Sequence, residues 1–343
     1  MGHRAGGRQI AAIGSLVLGL VGSQATFLSY GTTARAARRY GAGNRVAAVT
    51  EGVQATWLAL GLGALVVVVV EATATPLVSA IASGDGITAA ALPWLRIAIL
   101  GTPAILVSLA GNGWLRGVQD TVRPLRPDRA VLGAQLMMAR DLIVRTLAFQ
   151  VCYVSAAAVA ARFGAAALAA HQVVLQLWGL LALVLDSLAI AAQSLVGAAL
   201  GAGDAGHAKA VAWRVTAFSL LAAGILAAAL GLGSSVLPGL FTDDRSVLAA
   251  IGVPWWFMVV QLPFAGIVFA VDGVLLGAGD AAFMRTATVA SALVGFLPLV
   301  WLSLAYGWGL AGIWSGLGTF IVLRLIFVGW RAYSGRWAVT GAA

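Results

Sequence analysis

Apolar stretches of about twenty to thirty residues recur along this chain, broken by short segments that carry glycine, proline and charge. A helix needs roughly 20 mainly apolar residues to cross the hydrocarbon core of a bilayer, and breaks of this composition read as loops. The pattern predicts nine spans, at about 10–33, 46–70, 88–115, 142–163, 168–198, 207–232, 248–278, 284–307 and 309–331. The expected fold is all-α, a polytopic transmembrane helix bundle. The first run follows Arg4 and Arg8, as a signal peptide would. It continues to Tyr30 and ends in Arg35, Arg38 and Arg39, which favours a spanning helix.

Composition supports the same class. Hydrophobic residues make up 61% of the chain and charged residues 10%, against about 25% charged in a soluble domain. The net charge of +9 would suggest nucleic acid in a soluble protein. Here the arginines sit in short loops, where they set topology. Arg35, Arg38, Arg39, Arg45, Arg116, Arg123, Arg126, Arg129, Arg140, Lys209, Arg214, Arg285, Arg331 and Arg336 fall on one side. The opposite loops carry Glu71, Asp85, Asp243 and Asp244, with only Arg96, Arg162 and Arg245. The first side is expected to be cytoplasmic and to hold the C-terminus. Nine spans then place Arg4 and Arg8 outside, against the same bias.

The chain also repeats itself 160 residues apart. Asn112-Gly-Trp-Leu-Arg-Gly-Val-Gln-Asp120 matches Asp272-Gly-Val-Leu-Leu-Gly-Ala-Gly-Asp280, and Gly41-Ala-Gly-Asn44 matches Gly201-Ala-Gly-Asp204. Pro103 matches Pro263, and Pro93-Trp94 matches Pro254-Trp255 with a one-residue slip. Many transporters are built from duplicated helical halves that rock about a midplane site. In the second copy a helix precedes 168–198 and two helices follow Asp280. In the first copy Asp120 leads into Thr-Val-Arg-Pro-Leu-Arg-Pro-Asp-Arg, too polar to span. The division is therefore residues 1–125 as an incomplete N-terminal repeat of about three helices, 126–141 as a cytoplasmic charged linker, and 142–343 as a C-terminal repeat of six. Three helices are missing from a symmetric design of twelve.

These residues carry a resemblance. Leu115-Arg-Gly-Val-Gln-Asp-Thr-Val-Arg-Pro-Leu125 resembles the loop after the fourth helix of multidrug and toxic compound extrusion (MATE) transporters. Ala170-His-Gln-Val-Val-Leu-Gln-Leu-Trp178, followed by Leu185-Asp-Ser-Leu-Ala-Ile-Ala-Ala-Gln193, is similar to their eighth helix. Gly31-Thr-Thr-Ala-Arg-Ala-Ala-Arg-Arg39 is similar to the end of their second. The flavour is that of the damage-inducible (DinF-like) branch. By this match the chain lacks the first, fifth and sixth helices. The first carries, in related members, an aspartate implicated in ion coupling, which has no counterpart here. The resemblance implies a V-like arrangement of two pseudo-symmetric halves in a bacterial inner (plasma) membrane.

Candidate residues cluster on the span at 168–198. Gln172, Gly179, Asp186 and Gln193 fall at intervals of seven, and Gln176 sits one turn after Gln172. A seven-residue step returns to nearly the same face, drifting ~20°, so one polar stripe runs about 31 Å along an otherwise apolar helix. One reading is a cavity-lining face with Asp186 at mid-depth as the site of ion coupling and substrate binding, because a charge at the bilayer centre costs about 2.5–3.5 kcal/mol on insertion scales. The other is hydrogen bonding that glues helices together. Asp272 and its repeat mate Asn112 suggest a shared hydrogen-bonding task, either coupling or helix contact. Pro103 and Pro263 fall inside spans at matched positions, as hinges or as static bends. Asp120, Asp204 and Asp280 read as helix caps or partners of loop arginines, and His171 lies beside the stripe.

Other chemistry finds no support. Cys152 alone excludes an internal disulfide, and His3, His171 and His207 are scattered without metal-ligand spacing. The Gly-Ala-Gly loops lack the strand and the Lys-Ser/Thr of a phosphate cradle. No enzyme, cofactor, metal or nucleic-acid partner is expected. The expectation is secondary active efflux of amphipathic or cationic compounds, coupled to proton or sodium antiport by alternating access, in a monomer embedded in membrane lipid. Two alternatives stand beside it. A lipid-linked precursor flippase would need a cavity lined by basic residues, and few arginines such as Arg96 and Arg324 lie within spans. A truncated, non-transporting membrane protein would account for the missing helices.

Overall fold

The computed structural model describes residues 28–81, 92–93, 95–117 and 129–341. Among these the regular structure is entirely helical: α1 (28–41), α2 (Arg45–Ile81), α3 (Thr102–Gly117), which a shorter helical stretch at 95–99 precedes, α4 (Arg129–Arg162), α5 (Ala165–Gly201), α6 (Ala205–Leu232), a 3-10 turn at Leu237–Leu240, α7 (Arg245–Gly277), α8 (residues 281–306) and α9 (Gly309–Tyr333). Among the described residues eight segments, from Arg45–Ser79 to Gly309–Tyr333, are long and apolar enough to cross a membrane. The predicted span at 10–33 lies outside the described residues except for its last six. Asp120 and most of the loop at 115–125 also lie outside them.

Several helices run past their predicted ends. α2 continues through Glu71 and Pro76 to Ile81, because Ala74 and Val78 bury against Leu95. α4 begins at Arg129, so most of the expected linker 126–141 is helix instead. Its sequence from Ala130 to Ala139 is apolar and rich in good helix formers, and its Gln135 is buried. α8 contains a π-helical turn at Ala292–Phe296, directly before Pro298, where the missing proline N–H already interrupts the ladder.

The chain forms two compact units, 1–36 with 44–139 and 37–43 with 140–343. In the first, α2 packs along α3. Trp114 Nε1 donates to the Ala48 carbonyl at 3.1 Å, and Thr33 Oγ1 donates to the Gly113 carbonyl at 2.8 Å. In the second, α7 is the central helix and packs against α5, α6 and α9. Ser219 on α6 donates to the Gly266 carbonyl on α7 at 2.7 Å. Small residues let such backbones approach, which is how helices associate where lipid is as apolar as the side chains.

The duplication reappears in these contacts. A Cβ at Gly113 would overlap the Ser29 carbonyl, and a Cβ at Gly273 would overlap the Ala189 carbonyl. Both members of the second contact lie 160 residues beyond those of the first. Within the second unit, Gly41 presses on the Ala198 backbone and Gly201 on the Arg38 backbone, two contacts exchanged by the same offset. The loop after each such helix also repeats. Gly43 and Gly203 take φ of 73° and 85°, and Asn44 and Asp204 then cap the next helix by accepting from Ala47 N at 3.0 Å and His207 N at 2.7 Å. Asp244 caps α7 in the same way, and the Ser246 hydroxyl and amide hold its carboxyl below the usual range.

Gly273→Val should therefore lower thermal stability in detergent by about 1–3 kcal/mol or more, read as a shifted unfolding midpoint. Gly224→Ala, where an added methyl meets nothing within 4 Å, should leave that midpoint unchanged or slightly raised.

Candidate functional site

α5 buries a row at helical spacing, including His171, Val174, Trp178, Leu181, Leu185, Ala189, Ala192 and Val196. The predicted stripe lies one residue further on, about 100° around the helix, at the margin of this packed row. Gln172 and Asp186 are half-buried, Gln176 and Gly179 are exposed, and Gln193 is buried where Gly277 of α7 crosses its backbone. The stripe thus borders a helix contact along its length. His171 itself is buried and stands edge-on to Trp314, ring centres 5.9 Å apart.

The densest charge cluster forms around Asp272, five residues before the end of α7. Arg324 Nη2 of α9 donates to both carboxylate oxygens at 2.6 Å, and Arg145 Nη2 of α4 donates to Oδ2 at 2.6 Å. Relative exposure is 5% for the Arg324 side chain, 8% for Asp272 and 14% for Arg145. Phe149 underlies both guanidinium groups, 5.6 Å from Arg145 and 5.5 Å from Arg324, and Phe320 lies 5.9 Å from Arg324. Charge-assisted guanidinium–carboxylate contact in such a shielded place is strong.

Its repeat mate Asn112 is exposed on α3. The two therefore do not share one task, and the reason is connectivity. Between α3 and α4 the chain has only residues 118–128, too few for counterparts of α8 and α9. The first copy therefore lacks a counterpart of α9 and of its Arg324. Pro103 and Pro263 also differ. Pro263 lies inside the continuous α7, whereas Pro103 is the second residue of α3, where a missing N–H costs nothing. Gly63 packs on Pro103.

Further ion pairs join helices. Asp141 of α4 accepts from Arg140 at 2.8 Å and from Arg285 of α8 at 2.6 Å. Asp280 accepts from Arg331 at 2.6 Å, which is the loop-arginine pairing expected of it. In the first unit Arg35 holds Glu51 through two contacts of 2.8 Å, and Gln135 donates to the same carboxylate at 3.2 Å. Arg35 and Gln135 border a small cavity that Leu28, Thr32 and Leu58 help to line. Sequence reasoning passed over Arg145, Glu51 and Gln135. The available signal was a charge or amide within an apolar span, which is rarely there without a partner.

Among the described residues no His, Cys, Asp or Glu group could hold a metal. The profile of the MatE family matches residues 3–127 and 142–302. The chain belongs to the MatE family. Its two matched segments fall on either side of the junction between the sequence repeats. Protein DETOXIFICATION 44 of Arabidopsis thaliana is 29% identical over 73% of this chain, and Protein DETOXIFICATION 42 is 30% identical over 71%. The chain spans 59% and 58% of the length of those two relatives. DNA damage-inducible protein F of Escherichia coli is 26% identical over 95% of the chain and 85% of its own length. A MOP superfamily transporter from Pyrococcus furiosus superposes with a TM-score of 0.86 at 17% identity, over 96% of this chain and 88% of the other. The protein is thus an all-helical, multi-pass member of a transporter family.

Asp272→Leu leaves two buried guanidinium groups without a counter-charge and should cost about 3–5 kcal/mol. Arg145→Gln should cost less, because Arg324 alone still engages both oxygens. Unfolding midpoints of the two variants in detergent check the order.

Proposed function

We propose that this MatE chain is a secondary active exporter of amphipathic compounds in a bacterial inner membrane, with its C-terminus cytoplasmic. Inward flow of protons or sodium drives it, and access alternates between the two membrane faces. The observation that carries the reading is Asp186, a half-buried carboxylate midway along α5, on the polar margin of that helix's packed row. A carboxylate at such a depth is expensive unless it serves a task. Binding an ion there neutralises it, and releasing the ion restores the charge. The two states favour different packing along the α5 margin, so ion and substrate can exclude one another. Gln172 and Gln193 on the same margin supply neutral hydrogen-bonding groups. Asp272 takes the other part: it fastens α4, α7 and α9 together. Relatives named probable multidrug resistance proteins, such as NorM of Xylella fastidiosa at 29% identity over 50% of this chain, are in keeping with export.

Reconstituted into vesicles, the protein should export ethidium or carboxyfluorescein when a proton or sodium gradient is imposed. Asp186→Asn should reduce gradient-dependent export at least tenfold while membrane insertion stays normal. Undiminished gradient-driven export by that variant would remove Asp186 from the mechanism.

A further inference from the structure

The cluster around Asp272 carries more positive charge than it neutralises. Two guanidinium groups meet one carboxylate there. One turn earlier on α4, Asp141 takes a further two arginines, Arg140 and Arg285. Arg140 is 62% exposed and Arg285 30%, so the shielded excess is one positive charge, that of Arg145 and Arg324 against Asp272. Uncompensated charge within membrane spans is costly, and where it persists it marks a binding task.

The hydrogen bonding is unbalanced in the same direction. Arg145 and Arg324 both spend Nη2 on Asp272, while the Nε–H groups of both are buried with no acceptor. Arg324 is only 4% exposed, and buried donors normally have a partner. The planar guanidinium fork matches the oxygens of a carboxylate or phosphate. Phe149 and Phe320 lie against the same groups and make their surroundings apolar. A cationic guest finds both oxygens of Asp272 already occupied.

We propose that Arg145 and Arg324 bind an organic anion, a carboxylate or phosphate on an amphipathic body, and that the compounds exported are of this class. The inference rests on the transport reading for its second half and on the geometry for its first. Binding is therefore measured apart from transport, on the purified full chain in detergent. Fluorescence anisotropy would follow three probes: carboxyfluorescein as a soluble anion, labelled phosphatidylglycerol as an anionic lipid, and ethidium as a cation.

Carboxyfluorescein or the lipid should bind at least tenfold more tightly than ethidium. Arg145→Gln should weaken that binding at least tenfold, and Arg145→Lys should recover part of it, which separates lost charge from lost fold. Whichever anion responds identifies the source of the group, soluble compound or headgroup. Anion binding that Arg145→Gln leaves unchanged, ethidium binding as tight as either anion, or no anion binding by folded protein would each overturn the site. Intact anion binding without gradient-driven export would instead count against the exporter and leave the site standing.

Discussion

Close approach of backbones is the constraint on which the rest of this fold depends. In lipid a leucine gains nothing by turning from acyl chains to a neighbouring helix, so the helices are held by dispersion between surfaces that fit and by polar groups that reach across. Both need small residues at the crossings. Gly273 and Gly277 bring α7 down onto α5 at Ala189 and Gln193, and Gly266 admits α7 to α6 beside Ala223. Once the carbonyls are that near, the Ser219 hydroxyl reaches the Gly266 oxygen. α7 is consequently the most enclosed helix of its unit, and whatever charge it carries is enclosed with it.

That enclosure explains why Asp272 behaves unlike the other carboxylates. Asp204 and Asp244 stand at helix starts in water's reach and serve as caps. Asp272 lies inside the packing and has to be met by charge of opposite sign, which α4 and α9 deliver from either side in sequence. Two guanidinium groups against one carboxylate over-answer the need. The ion pairs bind three helices into one body, and the leftover positive charge gives that body a chemical preference.

Much of this was legible in the chain. The all-helical class and the eight spans seen among the described residues follow from runs of apolar residues, and the two Gly-Ala-Gly loops with Asn44 and Asp204 announced their caps. The offset of 160 proved to be a rule of packing as well as of sequence, since Gly113–Ser29 and Gly273–Ala189 obey it. Where the reading stopped, the cause was distance along the chain. Arg145 lies 127 residues from Asp272, and Arg324 lies 52 away, and no periodicity on one helix reveals a partner on another. Matched letters also misled at Asn112, whose neighbours differ from those of Asp272 because the copies do not contain the same helices. Charged ends hid the helical start of α4, which an apolar core between Arg129 and Arg140 makes stable.

The crossing of Gly41 with Ala198 and of Gly201 with Arg38 carries a lesson about descent. Each copy provides both the glycine and the backbone it rests on, so the two contacts are one contact seen from its two ends. After a duplication, most positions are free to drift apart, as Asn112 and Asp272 have done. A self-complementary crossing is not free in this way. A side chain gained at either glycine pushes the same two segments apart, and no change in the other copy can make room for it. Such a pair stays small in both copies for as long as the crossing persists, and it keeps the record of the duplication after the surrounding sequence has lost it.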